Sequence, residues 1–564
     1  MAPLNRPAAR LVVYVLLAVV VTWPMVLDPV GSVVGHPEAS VGCHVWLVWW
    51  AQHHLTELVY PGIFHPFGAD MVRLYGSDLV SPLVLGALPG PPALLYNGWV
   101  LFLLTLGAAG ADRLALRTGA SAGGALCAGV FFGSAPFFQH ETLNGTSELL
   151  AAGLLPWFTE ALLDVLDADR LRWRAGVRLG VLTGVGVGAS AYNLFFMLTI
   201  GACLALYRVS TQGAPVLTRP VVTSGAVGVA VAAVFAVPMA VLQAIHGAGA
   251  TFADRLNWTA PEMALPDAFA DVLAWFDPRA TPIPAQVPLP TGGSFAYWTT
   301  CTVYIGWVAI GLAVVGMVRA RRLGPWAVLT GVGLLLASGP YLRVGGEDLV
   351  VDGHRFGLPG LAVAALFPAF VIAGIHAYRF ASVVTLGMAM LVSQGARGGW
   401  WALVIGIEAV LLSPVPWPAP LTPIPAGPVL EDLAARPDGA VLSLPAEVDD
   451  LGDLGRVLAA QMAHGKPVQD GGIHRRAGSA VTGLYADVPL LAALTRVGGA
   501  SLPGPADARY GFARLYDAGY RYVLVGADAP EIGGWFEARL GPPVAQDPDR
   551  ALWLLPADGV QSGG

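Results

Sequence analysis

The run LVVYVLLAVVVTWPMVL, residues 11–27, contains no charged residue, and Arg6 and Arg10 precede it. A helix that spans a bilayer needs about 20 mostly apolar residues. The basic start is typical of a signal peptide, but WPMVLDP stands where a small-x-small cleavage site would be required. We therefore interpret residues 9–27 as an uncleaved first transmembrane helix.

The rest of the chain has the same apolar character. Of its 564 residues, 55% are hydrophobic and only 12% are charged, with a mean hydropathy of +0.62. These values exclude an ordinary soluble globular protein. The formal net charge of -7 hides arginine clusters in short loops and carboxylates near the C-terminus, and it gives no reason to expect nucleic acid as a partner.

Further apolar runs predict membrane helices near residues 92–113, 119–138, 148–166, 221–244, 301–318, 325–338, 380–396 and 399–413. The stretch 176–207 is too long for one span, and SAYN at Ser190–Asn193 predicts two helices that meet there; one tilted helix is the alternative. Residues 357–375 contain two prolines and predict a re-entrant or a crossing segment. The expected fold is an α-helical polytopic membrane protein with about 10–12 membrane helices.

The positions of the arginines predict how the helices are oriented across the membrane, because short cytoplasmic loops are enriched in basic residues. Arginines near 113–117, 170–178, 208–219 and 319–322 fall on one side if 176–207 crosses twice. That side is then cytoplasmic, and the loops 28–90, 139–147, 245–300 and 339–356 lie outside. Since the basic residues are almost all arginine, which suggests a GC-rich bacterial genome, we expect a multi-pass protein of a bacterial inner (plasma) membrane.

A proline-rich segment, SPVPWPAPLTPIPAGP at Ser413–Pro428, separates two compositions. We predict a transmembrane domain over 1–413 with extracytoplasmic loops at 28–90 and 245–300, a linker over 414–428, and a small soluble α/β domain over 429–564. In the last of these, β-type runs at 440–445, 520–527 and 551–556 alternate with helix-like stretches near 428–436, 508–518 and 532–540. A re-entrant 357–375 would place this domain outside the cell.

SVGCHVWLVWWAQHHL, residues 40–55, has Trp46, Trp49, Trp50 and His53 at helical spacing. Because tryptophan favours the membrane–water boundary, we predict a helix lying on the membrane surface, with its histidines, His44 among them, near the headgroups. The four cysteines are scattered without a metal-ligand spacing, so neither a zinc site nor a disulfide framework is indicated.

Polar side chains in the predicted outer loops are the candidates for chemistry. They are Glu38 before the tryptophan helix, Asp70, Arg73 and Asp78 in the turn-rich loop after it, and Glu141 and Glu148 in QHETLNGTSELL. Each has a structural alternative: a solvated loop charge, or for Glu148 a cap at a helix N-terminus. His464, Lys466 and Arg475 lie in QMAHGKPVQDGGIHRR and could contact a sugar or phosphate, or form a surface loop.

A set of motifs along most of the chain, including the C-terminal domain, resembles a broad family of bacterial polytopic proteins. In order, the motifs are TWPMVLDPVG, HVWLVWWAQHHL, FHPFGADM, SAPFFQHETLNGTSELLAAGLLPW, YNLFF, SGPYLRVGG, YRF and QMAHGKPVQDGGIHRR. That family is similar to the GT-C superfamily, whose members are membrane glycosyltransferases that use polyprenyl-phosphate-linked sugars. The resemblance implies a lipid-linked sugar as donor, a glycan, lipid or protein as acceptor, and, in some members, a divalent metal; no residue here is assigned as a metal ligand.

The resemblance also implies site residues. An aspartate is expected six positions before Trp46, where this chain has Ser40, and Glu38 is the nearby acid that could replace it as catalytic base, supported by Glu141 and Glu148. Arg379 in YRF would hold the donor phosphate; its structural alternative is a headgroup anchor. His44, Asp70, Arg73, His464, Lys466 and Arg475 are the remaining candidates for substrate binding. Two other functions stay open: a non-catalytic relative in envelope or glycan assembly, and a transporter or flippase.

Overall fold

The structure, a computed structural model, is that of a mostly helical membrane protein. It describes residues 7–75, 80–212, 218–245, 270–277, 286–288, 294–296, 303–320, 324–345, 347–366, 376–445, 451–471, 488–494, 502 and 504–556.

The helices follow the chain from the N-terminus to the C-terminal unit, which we define as Pro428–Leu554. They are α1 Pro7–Val21, α2 Val41–His53, α3 Met71–Tyr75, α4 Val80–Gly86, α5 Pro92–Arg117, α6 Ala122–Gly133, α7 Pro136–Leu143, α8 Ser147–Leu150, α9 Leu155–Leu166, α10 Trp173–Ala189, α11 Ala191–Gln212, α12 Arg219–Ile245, α13 Trp307–Ala320, α14 Pro325–Ala337, α15 Pro359–Leu366, α16 Ala381–Gly395, α17 Trp401–Leu411, α18 Pro428–Ala435, α19 Leu451–His464, α20 Pro489–Leu494, α21 Pro505–Asp517 and α22 Pro530–Leu540. Short 3-10 helices cover Met25–Leu27, Ala151–Leu154, Leu273–Trp275 and Ala377–Phe380.

The strands are short in the membrane part and longer in the C-terminal unit. They are β1 Ser32–Val34, β2 Val59–Tyr60, β3 Ala69–Asp70, β4 Gln286–Pro288, β5 Ser294–Ala296, β6 Arg343–Val344, β7 Glu347–Asp348, β8 Val350–Val351, β9 His354–Arg355, β10 Leu421–Pro423, β11 Ala440–Leu444, β12 Tyr520–Gly526, β13 Ala545–Gln546 and β14 Arg550–Leu554. β1 pairs antiparallel with β10, which joins the first loop to the proline-rich segment.

Among the described residues, four helical stretches are long and apolar enough to cross a bilayer: Pro92–Arg117, Ser147–Leu166, Ala191–Thr211 and Arg219–Leu242. Four apolar helices are shorter, and α1, α13, α14 and α17 contain them. The predicted span 119–138 is divided between α6 and α7. Pro136 lies in the first turn of α7, where the backbone N–H that proline lacks would have no hydrogen-bond partner within the helix. Of the ambiguous segment 357–375, α15 is described and residues 367–375 lie outside the described residues.

The predicted break in 176–207 is confirmed. α10 ends at Ala189, Ser190 adopts extended backbone, and α11 begins at Ala191. The side-chain amide of Asn193 bridges the break by donating to the carbonyl of Gly186 at 2.9 Å. The sequence signal was a polar interruption in an apolar run. The Gly186 carbonyl also accepts from the Ser190 N–H at 3.0 Å, so the Asn193 amide is a second donor that ties α11 to the end of α10.

α10 packs closely on α12 through glycine. A Cβ at Gly176 would lie 2.3 Å from the Ser224 carbonyl oxygen, and one at Gly180 would lie 2.4 Å from the Gly228 carbonyl oxygen. Small residues let two membrane helices approach until their backbones touch. The close van der Waals contact then holds the helices together, because lipid supplies no hydrophobic driving force for their association.

The C-terminal unit contains a four-stranded sheet in the order β11-β12-β14-β13. β11 and β12 are parallel, whereas β14 is antiparallel to both of its neighbours. The three predicted β-type runs form β11, β12 and β14, and the three helix-like stretches form α18, α21 and α22. All five residues of β11 are buried, as expected for a strand covered on both faces.

The tryptophan stretch forms a helix, as its spacing predicts, but Trp46 and Trp50 contact protein, whereas the prediction placed them at the membrane–water boundary. Trp46 and Trp50 of α2 are 0% and 2% exposed, and they pack in one apolar cluster with the C-terminal unit. The Trp46 indole N–H donates to the Gln461 side chain at 2.8 Å. Because Trp46 and Trp50 have apolar contacts in this cluster and Trp46 also finds a hydrogen-bond acceptor there, α2 joins the first loop to the C-terminal unit.

Candidate active site

Three segments that are distant in sequence meet at one end of the helical bundle. The first loop is tied to the α7–α8 connection by main-chain contacts: the His36 N–H donates to the Leu143 carbonyl at 2.9 Å. The Ser40 N–H and hydroxyl both donate to the Asn144 carbonyl, at 3.2 and 2.7 Å. The 3-10 helix Ala377–Phe380 supplies the third segment.

Glu141 lies at the centre of this arrangement and is fully buried. The Tyr378 hydroxyl donates to Glu141 Oε1 at 3.1 Å, and the Thr146 hydroxyl donates to Oε2. Burial raises the pKa of Glu141, and the charge of Arg379 acts in the opposite direction by favouring the carboxylate. Glu141 therefore links the α7–α8 connection to the segment that carries Arg379.

Arg379 is 7% exposed and lies among aromatic rings. Its guanidinium carbon is 4.5 Å from the centre of the Tyr192 ring and 5.8 Å from that of Tyr378. Tyr192 stands two residues after the break at Ser190, so the start of α11 faces this end of the bundle. Burial and the nearby Arg379 charge lower the pKa of His140 to about 3, which keeps that ring neutral. An arginine held by aromatic faces presents a desolvated positive charge.

Glu148 and His44 form the polar contact next to this centre. His44 Nε2 is 3.7 Å from Glu148 Oε2, and the two side chains are 14% and 19% exposed. Glu148 also acts on Glu141, since its negative charge contributes to raising the pKa of Glu141. The structure thus brings together four predicted site residues: Glu141, Glu148, His44 and Arg379.

Glu38 lies at the edge of the same region. It is exposed, and its main-chain N–H donates to His36 Nδ1 at 3.2 Å. Two residues later, Ser40 is bound to Asn144, so the first loop holds Glu38 beside the α7–α8 connection. Ser40, at the position of the expected aspartate, is a hydrogen-bond donor to the backbone.

The remaining predicted residues have other surroundings. Asp70 accepts from the Arg73 N–H at 3.0 Å and begins α3. Lys466 donates to the carbonyls of Arg436 and Pro437 at 2.8 and 3.0 Å, and the His464 ring accepts from the Lys466 N–H at 3.0 Å. These contacts of His464 and Lys466 stabilise the C-terminal unit itself. Asp78 and Arg475 lie outside the described residues.

In the described part of the chain, no three His, Cys, Asp or Glu side chains come together as a metal ion would require. Glu141, the best placed acid, already receives hydroxyl donors on both oxygens. The residues that the structure describes at this site therefore do not form the ligand set of a protein-held metal ion.

Sequence reasoning missed Tyr192, Tyr378 and Thr146. Tyr192 and Tyr378 lie in YNLFF and HAYRF, where aromatic residues are too common in a membrane protein to indicate a site. Thr146 lies in NGT beside the acids of QHETLNGTSELL. Only the tertiary fold shows that Tyr378, 237 residues after Glu141, donates to it.

Comparison with solved structures finds sugar transferases. The chain is similar to the arabinofuranosyltransferase AftD from Mycobacteria, with a TM-score of 0.56 and 14% identity over 97% of this chain and 40% of that one. It is similar to the oligosaccharyltransferase from Archaeoglobus fulgidus in the apo form, with a TM-score of 0.54 and 12% identity over 94% of this chain and 70% of that one. The chain thus spans 40% of the length of AftD.

Sequence comparison gives no match to a protein-family model or to a curated protein. At 12–14% identity, structural similarity establishes the fold and leaves substrates open. Together with the four helices that are long and apolar enough to cross a bilayer, it shows that this chain has a GT-C-like membrane fold, the fold of those two transferases.

Proposed function

We propose that the protein is a glycosyltransferase that moves a sugar from a polyprenyl-phosphate donor to an extracytoplasmic glycan, lipid or protein. It would act in a bacterial inner membrane, with a soluble α/β domain over residues 429–564 outside. The observation that carries the proposal is the buried group formed by Glu141, Tyr378 and Arg379, next to Glu148 and His44 and joined to the first loop.

Arg379 is proposed to stabilise the leaving group. In the transfer, the acceptor oxygen forms a bond to the anomeric carbon while the bond from that carbon to the donor phosphate breaks. The electron pair leaves with the polyprenyl phosphate, whose growing negative charge needs a fixed cation more than a proton. A guanidinium group is suited to this because it binds phosphate oxygens through two parallel N–H donors.

The acceptor hydroxyl must lose its proton as it attacks, and a carboxylate within hydrogen-bond reach can take it. Glu148 combines partial exposure with direct contact to the cluster through His44, so we assign it as the general base. Glu38, exposed on the adjoining loop, is the competing assignment. Glu141 is assigned as a residue that positions Arg379. Both of its carboxylate oxygens accept from hydroxyl groups, and the positive charge of Arg379 favours its negative form.

The compared structures support transfer of sugar in general. One is described as an arabinofuranosyltransferase and the other as an oligosaccharyltransferase. The transferred sugar and the acceptor of this chain are not carried over from either of them.

The test is transfer of radiolabelled sugar from a panel of polyprenyl-phosphate donors to envelope extract by the purified protein. Arg379→Ala and Glu148→Gln are expected to lower turnover by about 100-fold or more, the usual loss for one charge-stabilising or proton-transfer group. Arg355→Ala, at an arginine exposed on β9, is the matched control and should keep wild-type turnover. Loss of activity in Glu38→Gln but not in Glu148→Gln would reassign the base to Glu38.

The second candidate function is a non-catalytic GT-C relative that takes part in envelope or glycan assembly. It is favoured by Ser40, whose hydroxyl is bound to the Asn144 carbonyl at the position where the resemblance implies an acid. Wild-type protein that neither turns over nor binds any polyprenyl-phosphate donor would support this function and overturn the transferase.

A further inference from the structure

A cavity of about 570 Å³ opens at the other end of the helical bundle. Residues from α5, α9, α11, α13, α14 and α16 line it. The polar part of the lining includes Arg117, Asp167, Tyr207, Arg208 and Gln394. A volume of this size is within the range of small-ligand sites in proteins.

Two helices, α11 and α16, run from the candidate active site to this cavity and give its distance. On α11, Tyr192 contacts Arg379 and Arg208 lines the cavity 16 residues later, about 24 Å at the rise of an α-helix. On α16, Ala381 follows the Arg379 segment, and Gln394 lines the cavity about 20 Å further on. The cavity is therefore separate from the candidate active site.

In the polar part of the cavity, the side chains of Arg117 and Arg208 both donate to the carboxylate of Asp167. Asp167 Oδ2 accepts from Arg117 Nη2 at 2.9 Å, and Oδ1 accepts from Arg208 Nη2 at 2.6 Å. The Asp167 carboxylate orients both guanidinium groups side by side, and Asp164 also pairs with Arg117, at 3.0 Å. Across the connected ion pairs of Arg113, Arg117, Arg178 and Arg208 with Glu160, Asp164 and Asp167, one positive charge is left over. Each guanidinium has five N–H donors, so donors remain for an anion that touches both groups.

The rest of the lining is apolar. Leu163, Leu204 and Met317 line the cavity, and the neighbouring helix surface is apolar and exposed, with Leu206 and Val318 at 68% and 71% exposure. An exposed apolar surface of this kind suits contact with lipid. An occupant that matches this lining has an anionic head and an apolar tail, and it can enter sideways from the bilayer. A small soluble anion would leave the apolar part unfilled.

We propose that this cavity binds an anionic phospholipid, with its phosphate between Arg117 and Arg208 and the start of an acyl chain on Leu163, Leu204 and Met317. The site does not depend on the proposed transferase activity. It lies at the arginine-rich end of the helices, where the cytoplasmic leaflet with its anionic lipids is expected.

The test uses the full chain, equilibrated with vesicles of phosphatidylglycerol or of phosphatidylcholine, extracted into detergent and examined by native mass spectrometry. Wild type should retain phosphatidylglycerol and not phosphatidylcholine. Arg117→Gln and Arg208→Gln should each lower the retained phosphatidylglycerol by about tenfold, since each removes one charge-assisted contact to phosphate. Arg170→Gln, at an exposed arginine of the same end, should retain lipid like wild type.

Met317→Trp tests the apolar part without altering charge, and it keeps the proposal testable if an arginine variant fails to fold. It should also lower lipid retention by filling the space for the chain. Equal retention of phosphatidylglycerol by wild type and all three cavity variants would overturn the proposal. So would inorganic phosphate binding to the lipid-free protein at Arg117 and Arg208 with no phosphatidylglycerol retained, because the anion would then come from water.

Discussion

Trp46 and Gln461 are separated by 415 positions and share a buried hydrogen bond of 2.8 Å. The same Gln461 amide donates to the carbonyls of Gly62 and Lys466, at 2.5 and 3.2 Å. One side chain thus fixes the tryptophan helix and the loop after it to the C-terminal unit. The first loop that closes the candidate active site is positioned through this contact.

Replacing Gln461 by Leu should destabilise the protein by about 2–4 kcal/mol, because the buried indole N–H and two carbonyls lose their partner. Thermal unfolding of the purified protein in detergent measures the change. Gln546→Leu, at an exposed position on β13, is the control and should change stability by less than about 0.5 kcal/mol. Equal melting of the two variants would show that the contact does not support the interface.

Replacing Ser40 by Asp introduces the acid that the family resemblance implies, yet it should not create a more active protein. A carboxylate cannot donate to the Asn144 carbonyl oxygen that Ser40 now contacts at 2.7 Å. We expect a loss of about 1–3 kcal/mol of stability and no gain in sugar transfer. Ser40→Thr keeps the donor and should melt near wild type. A stable Ser40→Asp protein with faster transfer would contradict this account of Ser40.

Tyr378→Phe removes one of the two hydroxyl donors on Glu141 and leaves the ring beside Arg379. If Glu141 positions Arg379, the turnover number should fall by about tenfold, which corresponds to about 1.4 kcal/mol. The KM for the acceptor should change little, because the hydroxyl is not proposed to touch the acceptor. Wild-type turnover in Tyr378→Phe at saturating donor would remove Tyr378 from the site.

Gly180→Ala should loosen the contact between α10 and α12. The new methyl group would lie 2.4 Å from the Gly228 carbonyl oxygen, and relieving that overlap should cost about 1–3 kcal/mol. A methyl group at Gly225 on α12 would have no neighbouring atom within 4 Å, so Gly225→Ala should be neutral or raise stability by up to about 1 kcal/mol. Melting curves of the two alanine variants test the difference.

Acid should destabilise the C-terminal unit through His464. Burial, assisted by the charge of Lys466, lowers the pKa of His464 from 6.5 to about 3. Between these values the unfolded chain binds a proton that the folded chain does not, so stability is lost as the pH falls below about 6.5. His464→Asn should make the melting temperature less dependent on pH between about 7 and 4. His53→Asn, at an exposed position, should leave the slope unchanged.

Local features of the fold were predictable where one segment determined its own structure. Apolar runs identify helices because a backbone in lipid must satisfy its own hydrogen bonds. The polar interruption at Ser190 predicted the break between α10 and α11, and the short runs after residue 439 predicted β11, β12 and β14. Glu148 could be selected as a candidate because charge is costly at the start of an apolar span, whereas Arg379 was implied by the family resemblance of YRF.

The sequence by itself thus determined the class of protein, its helices and the residues that could carry chemistry. Only the tertiary structure decided their surroundings: that Trp46 packs on the C-terminal unit and not on lipid, that Tyr378 donates to Glu141, and that Lys466 is bound within its own unit. These contacts join residues up to 415 positions apart. A helical period shows which residues share a face, but the partner of that face depends on how distant segments pack.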